Sequence, residues 1–381
     1  MTRAEDQAAP SDGPDPWTAY ASLFAGLALA IALLFVAKDR WFIRVQDAAL
    51  GGETAGYAGA GDIQCQGAAS HERCLSTYRA AGSGRSILWL GNSQLDAVNR
   101  IQPGDRNAPV ILHDRLAARG RYLVVYQMPN ANLSEHILAT EAVLPAYRPD
   151  VVILPVCYDD IRELAVRDDV AALLEQPGLR RRLAATRYGR QVLAAAGVQT
   201  DRGEAAVNHD DPRSIRPKVE AALVGALEQH SDLWKQRDSL RGMLGFAIHT
   251  LRNKALGINS QTKRAVDPTL YRERMTMLGD YLNDLRARGV RVLLYVPPYR
   301  QNVSGPYIEG DYAAFKHDLA AMATRNGADY ADLDAIVPGP EWGMVTDSLF
   351  GFQEYDFMHF TGDGHRRLAD ALDARLQAMS F

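Results

Sequence analysis

The apolar positions of this chain fall into distinct regimes. From Pro16 to Ala37 no charge interrupts an almost wholly apolar run. From Ser86 onward, short apolar runs of strand length alternate with segments whose apolar positions recur at helical spacing. Between Arg162 and roughly Ala265 that alternation lapses into charged, helix-like sequence, and then it resumes.

The alternation predicts particular elements. Ser86 to Leu90 reads as a buried strand closed by Gly91-Asn92-Ser93, with Gly91 allowing a sharp turn. Pro109 to Ala118 reads as a helix stopping at Gly120, and Tyr122 to Tyr126 as a strand. Leu133 to Leu144 is helical with Ser134 a candidate cap, and Val151 to Val156 is another strand. After the interruption, Leu278, Tyr281, Leu282 and Leu285 mark a helix ending near Gly289. Val290 to Val296 is a strand followed by Pro297-Pro298-Tyr299-Arg300; Tyr312 to Arg325 is a helix; Ala328 to Leu333 is a last strand. Leu368, Ala371, Leu372 and Leu376 mark a closing amphipathic helix. Alternating strands and helices predict an α/β fold, a parallel sheet with helices on both faces.

The interruption, about 162–265, reads as a helical insertion. It carries the stripe Leu223, Leu227, Trp234, Leu240, Leu244, Ile248 and Leu251 and the cluster Arg180, Arg181 and Arg182. Packing over the sheet or forming a lid is the expected role, with a partner or membrane surface as the alternative. The arginine cluster reads first as a solvated face.

Residues 1–15 read as a disordered tail, being polar and rich in Ala, Pro and Asp. The run that follows has the roughly 20 apolar residues a transmembrane helix needs, with Trp17 and Tyr20 at one end and Trp41 at the other. We expect an uncleaved anchor over 16–38; a buried core helix and a cleaved signal peptide are the alternatives. Residues 39–84 read as a linker, Gly- and Ala-rich from Ala48 to Asp62. Orientation has opposing signals. Lys38, Arg40 and Arg44 follow the span and only Arg3 precedes it, which favours a cytoplasmic bulk. Cys65 and Cys74 lie close together in a polar stretch, as a small disulfide in an oxidising compartment would.

The 381 residues allow one sizeable domain and an appendage, and a formal net charge of −4 argues against a nucleic-acid binder. No repeat, phosphate loop, dinucleotide fingerprint or metal-ligand spacing stands out. Cys157 directly follows an apolar strand and reads as packing.

Two stretches carry chemistry together. Ser93 sits at a predicted strand end, where open α/β sheets place ligands. Tyr355-Asp356-Phe357-Met358-His359-Phe360-Thr361-Gly362-Asp363-Gly364-His365 precedes the last helix. A nucleophilic serine needs a base, and the base needs an acid to orient it; an Asp-x-x-His loop supplies both. The pairing of a strand-end Gly-x-Ser with a late Asp-x-x-His resembles the SGNH (GDSL-like) hydrolase superfamily, from about Ser86 to the C-terminus. The layout is similar to its membrane-anchored branch, such as the D-alanyl-lipoteichoic acid synthesis protein D and the alginate O-acetylation proteins.

The resemblance implies a three-layer α/β/α domain over 85–381, a Ser93–His359–Asp356 triad, no cofactor and a catalytic domain outside the cytoplasm. It implies an acyltransferase or esterase acting on a cell-envelope polysaccharide or related polymer, with a multi-span membrane O-acyltransferase as a possible partner. The family's oxyanion donors are the serine N–H, a glycine N–H and an asparagine side chain. The glycine block falls at Met128 to Ser134, with Asn130 where glycine is usual. The asparagine block falls at Cys157-Tyr158-Asp159-Asp160, with Asp159 replacing the asparagine. Asn132 or Tyr158 is then the alternative donor. The Pro-Pro-x-Arg turn resembles one in the envelope-polymer relatives, so Arg300 is a candidate for a substrate carboxylate or phosphate, against an ordinary pairing with a local acid. Two competing readings stay open. One is a catalytically degraded module that binds polymer or partner, which Asp159 and Asn130 favour. The other is a cytoplasm-facing lipid esterase, which the charges after the span favour.

Overall fold

The computed structural model describes residues 26, 29, 56–57, 63–81, 84–163, 165–198, 252–346 and 351–381. The expected tail, the stripe from Leu223 to Leu251 and the span 16–38 lie outside these, apart from the helical Gly26 and Leu29. No helix among the described residues is long and apolar enough to cross a membrane.

A six-stranded sheet organises the chain: β1 (Gln64–Cys65), β2 (Arg85–Gly91), β3 (Arg121–Gln127), β4 (Val151–Pro155), β5 (Arg291–Val296) and β6 (Asp329–Asp332), in the order β1-β3-β2-β4-β5-β6. Every pairing is parallel. Leu88 and Leu90 of β2 face one apolar layer, Ile87 and Trp89 the other, and all four are fully buried. Burial on both faces is what a central parallel strand between two helical layers requires.

The first layer holds α1 (Gly67–Ala81), α3 (Leu133–Val143), α4 (Leu179–Ala184), α5 (Arg187–Ala195), α6 (Pro268–Ala287) and α7 (Glu309–Asn326). The opposite layer holds α2 (Ala108–Ala117) and α8 (Gly362–Ala378), which bury Leu112, Leu116, Leu368, Leu372 and Leu376. The three-layer α/β expectation therefore stands. From β2 the chain steps to β3 on one side, then to β4, β5 and β6 on the other. That reversal opens a crevice at the carboxyl ends of β2 and β4, the usual ligand position of such sheets.

Three expectations need correcting. The stretch read as linker supplies the edge strand β1 and the helix α1, joined by the Cys65–Cys74 disulfide with Cα atoms 5.8 Å apart. Cys65, Cys74 and Leu75 are buried against the sheet, so this part belongs to the fold. The Asp-x-x-His stretch is no loop. It lies on an antiparallel pair, β7 (Trp342–Thr346) with β8 (Gln353–Phe360), whose register shifts between Tyr355 and Phe360. The break in pairing hides the strand's two-residue period. Lastly, Ser134 does not cap α3. Asn132 does, accepting from Glu135 N–H at 3.2 Å while Glu135 accepts from the Asn132 N–H at 3.0 Å.

The start of the insertion packs over the sheet. α4 and α5 bury Leu179, Leu183, Val192 and Leu193 in the first layer.

Candidate active site

Ser93 opens a 3₁₀ turn directly after β2, capped by Asn92, whose side chain accepts from the Gln94 N–H at 3.0 Å. Gly91 is required here, because a β-carbon would overlap the Leu95 side chain folded back over it. The turn exposes the serine oxygen at the crevice. His359 Nε2 lies 2.9 Å from Ser93 Oγ, and His359 Nδ1 lies 3.1 Å from Asp356 Oδ2. Since Asp356 accepts a proton from Nδ1, Nε2 is left with its lone pair facing the serine hydroxyl; this tautomer follows from the hydrogen bonds.

Asp356 is buried at 3 % exposure. Its Oδ1 accepts from the Met358 and His359 N–H groups, both at 2.9 Å, and its Oδ2 from Asn99 Nδ2 at 3.1 Å. Burial opposes its charge. His359 and the backbone donors overcome that, and its pKa lies below the ordinary carboxylate value. Gly343 has to be glycine, because a β-carbon there would overlap Asn99.

Two further residues brace the site: Gln94 holds the nucleophile turn against β8, and Arg300 holds the hairpin. Gln94 Nε2 donates to Pro298 O at 2.9 Å and to Met358 O at 2.8 Å. Arg300 is buried, and its Nη1 donates to Gly343 O at 2.6 Å and to Asp356 O at 3.5 Å, while Nε donates to Asn302 Oδ1 at 2.9 Å. Arg300 thus ties the hairpin to the Pro-Pro turn. That is a positioning role beyond the two expected of it, substrate anion and local acid.

The candidate oxyanion residues separate. The Ser93 N–H opens its turn, a position without an intrahelical acceptor. Asn130 follows the end of β3, where Met128 donates its N–H to Gly91 O at 3.0 Å. Asn130 has φ +54°, Pro129 precedes it, and the Ala131 N–H closes on Met128 O at 3.0 Å, a type II turn that needs this left-handed residue. Asn132 is held in the α3 cap. Its carbonyl caps α3 and its Nδ2 donates to Ala165 O at 2.8 Å. Tyr158 packs edge-on against Tyr307 and Tyr312 in the first layer. Asp159 is engaged elsewhere, with Arg162 at 2.7 Å, Arg264 at 3.2 Å and the Tyr307 hydroxyl at 3.0 Å. Asp160 is buried and accepts from the Cys157 N–H at 2.7 Å. Cys157 is itself buried, and burial, then Asp160 and Asp159, push its thiol well up, so it is no nucleophile.

Chemically, His359 can take the Ser93 proton as Oγ attacks an acyl carbonyl, and Asp356 then balances the imidazolium. Collapse of the tetrahedral adduct releases an alcohol and leaves an acyl-serine, which water or another hydroxyl resolves.

Gln94, Asn99 and Arg300 in its positioning role were not found from the sequence. The Gly-Asn-Ser-Gln order was visible, but nothing local says where the Gln94 amide goes. For Asn132, the Asn-x-x-Glu capping box was a readable signal.

No protein-family profile matches the chain, and no curated protein sequence matches it. Among solved structures, a GDSL-like lipase from Bacteroides thetaiotaomicron is similar at 10 % identity and TM-score 0.37, over 81 % of this chain and 98 % of that one. An acetyl xylan esterase is similar at 14 % identity and TM-score 0.37, over 76 % and 98 %. A catalytic mutant of an acetylxylan esterase from Geobacillus stearothermophilus is similar at 13 % and TM-score 0.33, over 76 % and 93 %. All three TM-scores are below 0.5.

Proposed function

We propose that the chain is a serine esterase or O-acyltransferase that works through an acyl-Ser93 intermediate on ester groups of a cell-envelope polysaccharide or related polymer. The observation that carries the chemistry is the unbroken relay Ser93 Oγ–His359–Asp356, with contacts of 2.9 and 3.1 Å. The polymer substrate, a membrane O-acyltransferase partner and an extracytoplasmic location come from the resemblance of the sequence layout. The anchor over 16–38 comes from its apolar run, and the Cys65–Cys74 disulfide supports the oxidising side. The placement of Asp159 favours catalysis over a degraded module. Its carboxylate is paired with Arg162 and Arg264.

The test is turnover of p-nitrophenyl acetate by the full-length chain. Ser93→Ala and His359→Ala should each lower kcat by at least about a thousandfold with unchanged melting, and the double variant should cost hardly more than one. Full activity in Ser93→Ala refutes the reading. Recovery in a membrane fraction, released only by detergent, tests the anchor; release by salt alone refutes it.

A further inference from the structure

The carboxyl ends of β5 and β6 open into a cavity of about 610 Å³, a volume typical of ligand sites. One wall is the turn after β5, including Gln301 and Asn302; the opposite wall is the start of α7, with Glu309, Ala313 and Lys316. Lys263 closes the rim. That lysine comes from the return segment of the insertion, which is stitched to the 304–307 loop. Gln261 Nε2 donates to Ser304 O at 2.9 Å, Lys263 Nζ to Gly305 O at 2.7 Å and to Tyr307 O at 2.9 Å, and Arg264 N to Pro306 O at 2.8 Å.

No triad residue lines the cavity, but neighbours of the triad do. Arg300 lines it and reaches the Asp356 carbonyl. Tyr299, Tyr307 and Tyr312 form a wall shared with a smaller pocket that ends at Met358, next to His359.

Its charges do not suit an anion. Lys316 is bound by Asp332 at 3.1 Å and Asp334 at 2.5 Å, Lys263 spends two of its three N–H groups on carbonyls, Arg300 spends Nε and Nη1 on Asn302 and the hairpin, and Glu309 adds a negative charge. Remaining at the rim are neutral and mixed groups: the Gln301 and Asn302 amides, the Glu309 carboxylate and one ammonium N–H. Donors and acceptors side by side over an aromatic wall match a hydroxyl-rich neutral ligand.

We propose that this cleft binds an uncharged sugar unit of the substrate polymer, holding the chain so that an ester nearby reaches Ser93. The proposal rests on the esterase reading and adds a substrate class to it. It also gives the insertion a role, since its return segment builds the rim.

The experiment compares p-nitrophenyl acetate, which has no sugar, with an O-acetylated cello-oligosaccharide, using the full-length chain. Ala313→Trp, which fills the cleft, and Gln301→Ala, which removes an exposed amide, should each raise KM for the oligosaccharide ester by about tenfold at unchanged kcat. Both should leave the small ester within about twofold. Equal effects on both esters, or none on either, overturn the proposal. A preference above about tenfold for an O-acetylated oligouronate overturns the neutral class. Calorimetry of the deacetylated cello-oligosaccharide with Ser93→Ala makes the test independent of turnover. Binding there that vanishes on adding Ala313→Trp is expected; no binding by Ser93→Ala overturns the cleft. Absence of any hydrolysis by the unaltered chain, with that binding intact, refutes the esterase reading and leaves the cleft standing.

Discussion

Asp96 is the buried acid beside the triad that the relay does not use. It stands three residues after Ser93 at 3 % exposure; its Oδ2 lies 3.4 Å from Gln66 Nε2, and its Oδ1 has no hydrogen-bond partner among the described residues. Burial raises its pKa to about 6, against the opposing pull of Gln127 and of His359. The folded chain therefore holds a proton at Asp96 that the unfolded chain has lost, from the ordinary carboxylate range up to about pH 6. Stability falls as pH rises through that window. Asp96→Asn should remove the cost, raising stability by on the order of 3 kcal/mol at pH 7.5, with the gain vanishing near pH 4. Denaturant melts at the two pH values measure it; a loss of stability at both would show that Asp96 is ionised and paired in the fold. At this scale the sequence was informative where chemistry dictates residue type. Ser93, His359 and Asp356 are legible because few other residue types could do their work at that order and spacing. The positioning role of Arg300 was missed because the partners of a buried guanidinium are carbonyls, and any sequence has carbonyls.

At the scale of elements, the parallel strands were legible because burial on both faces makes each an uninterrupted apolar run, as in Val151 to Pro155. The β7–β8 hairpin was not, since its pairing breaks between Tyr355 and Phe360 to aim Asp356 and His359 at the crevice. One amide joins three of these elements. Gln94 links the turn after β2 to both the Pro-Pro turn and β8. Gln94→Glu keeps the shape and removes both donors. It should lower kcat by about ten- to a hundredfold with KM little changed, because the serine and the histidine lose their common support. Steady-state kinetics on p-nitrophenyl acetate measure this. An unchanged kcat would show that packing alone sets the Ser93–His359 distance.

At the scale of the molecule, three layers and a strand order that reverses at β2 bring together residues from both ends of the described fold. The alternation of strand and helix made this architecture readable. It did not reveal that β1 edges the sheet, because a two-residue edge strand leaves no period to detect. Nor did it reveal that the insertion's return segment lines a cleft, because the contacts of Lys263 run to backbone carbonyls some forty residues away. The central claim is a covalent one: acyl transfer through Ser93, assisted by His359. Rapid acid quench of the full-length chain mixed with p-nitrophenyl acetate, followed by peptide mass mapping, tests it most directly. The account predicts one acetyl group on the peptide that carries Ser93, formed within a turnover, absent in Ser93→Ala and nearly absent in His359→Ala. An acetyl group on another residue such as Cys157, or hydrolysis that proceeds with no acetyl on Ser93 in any quench, would contradict it.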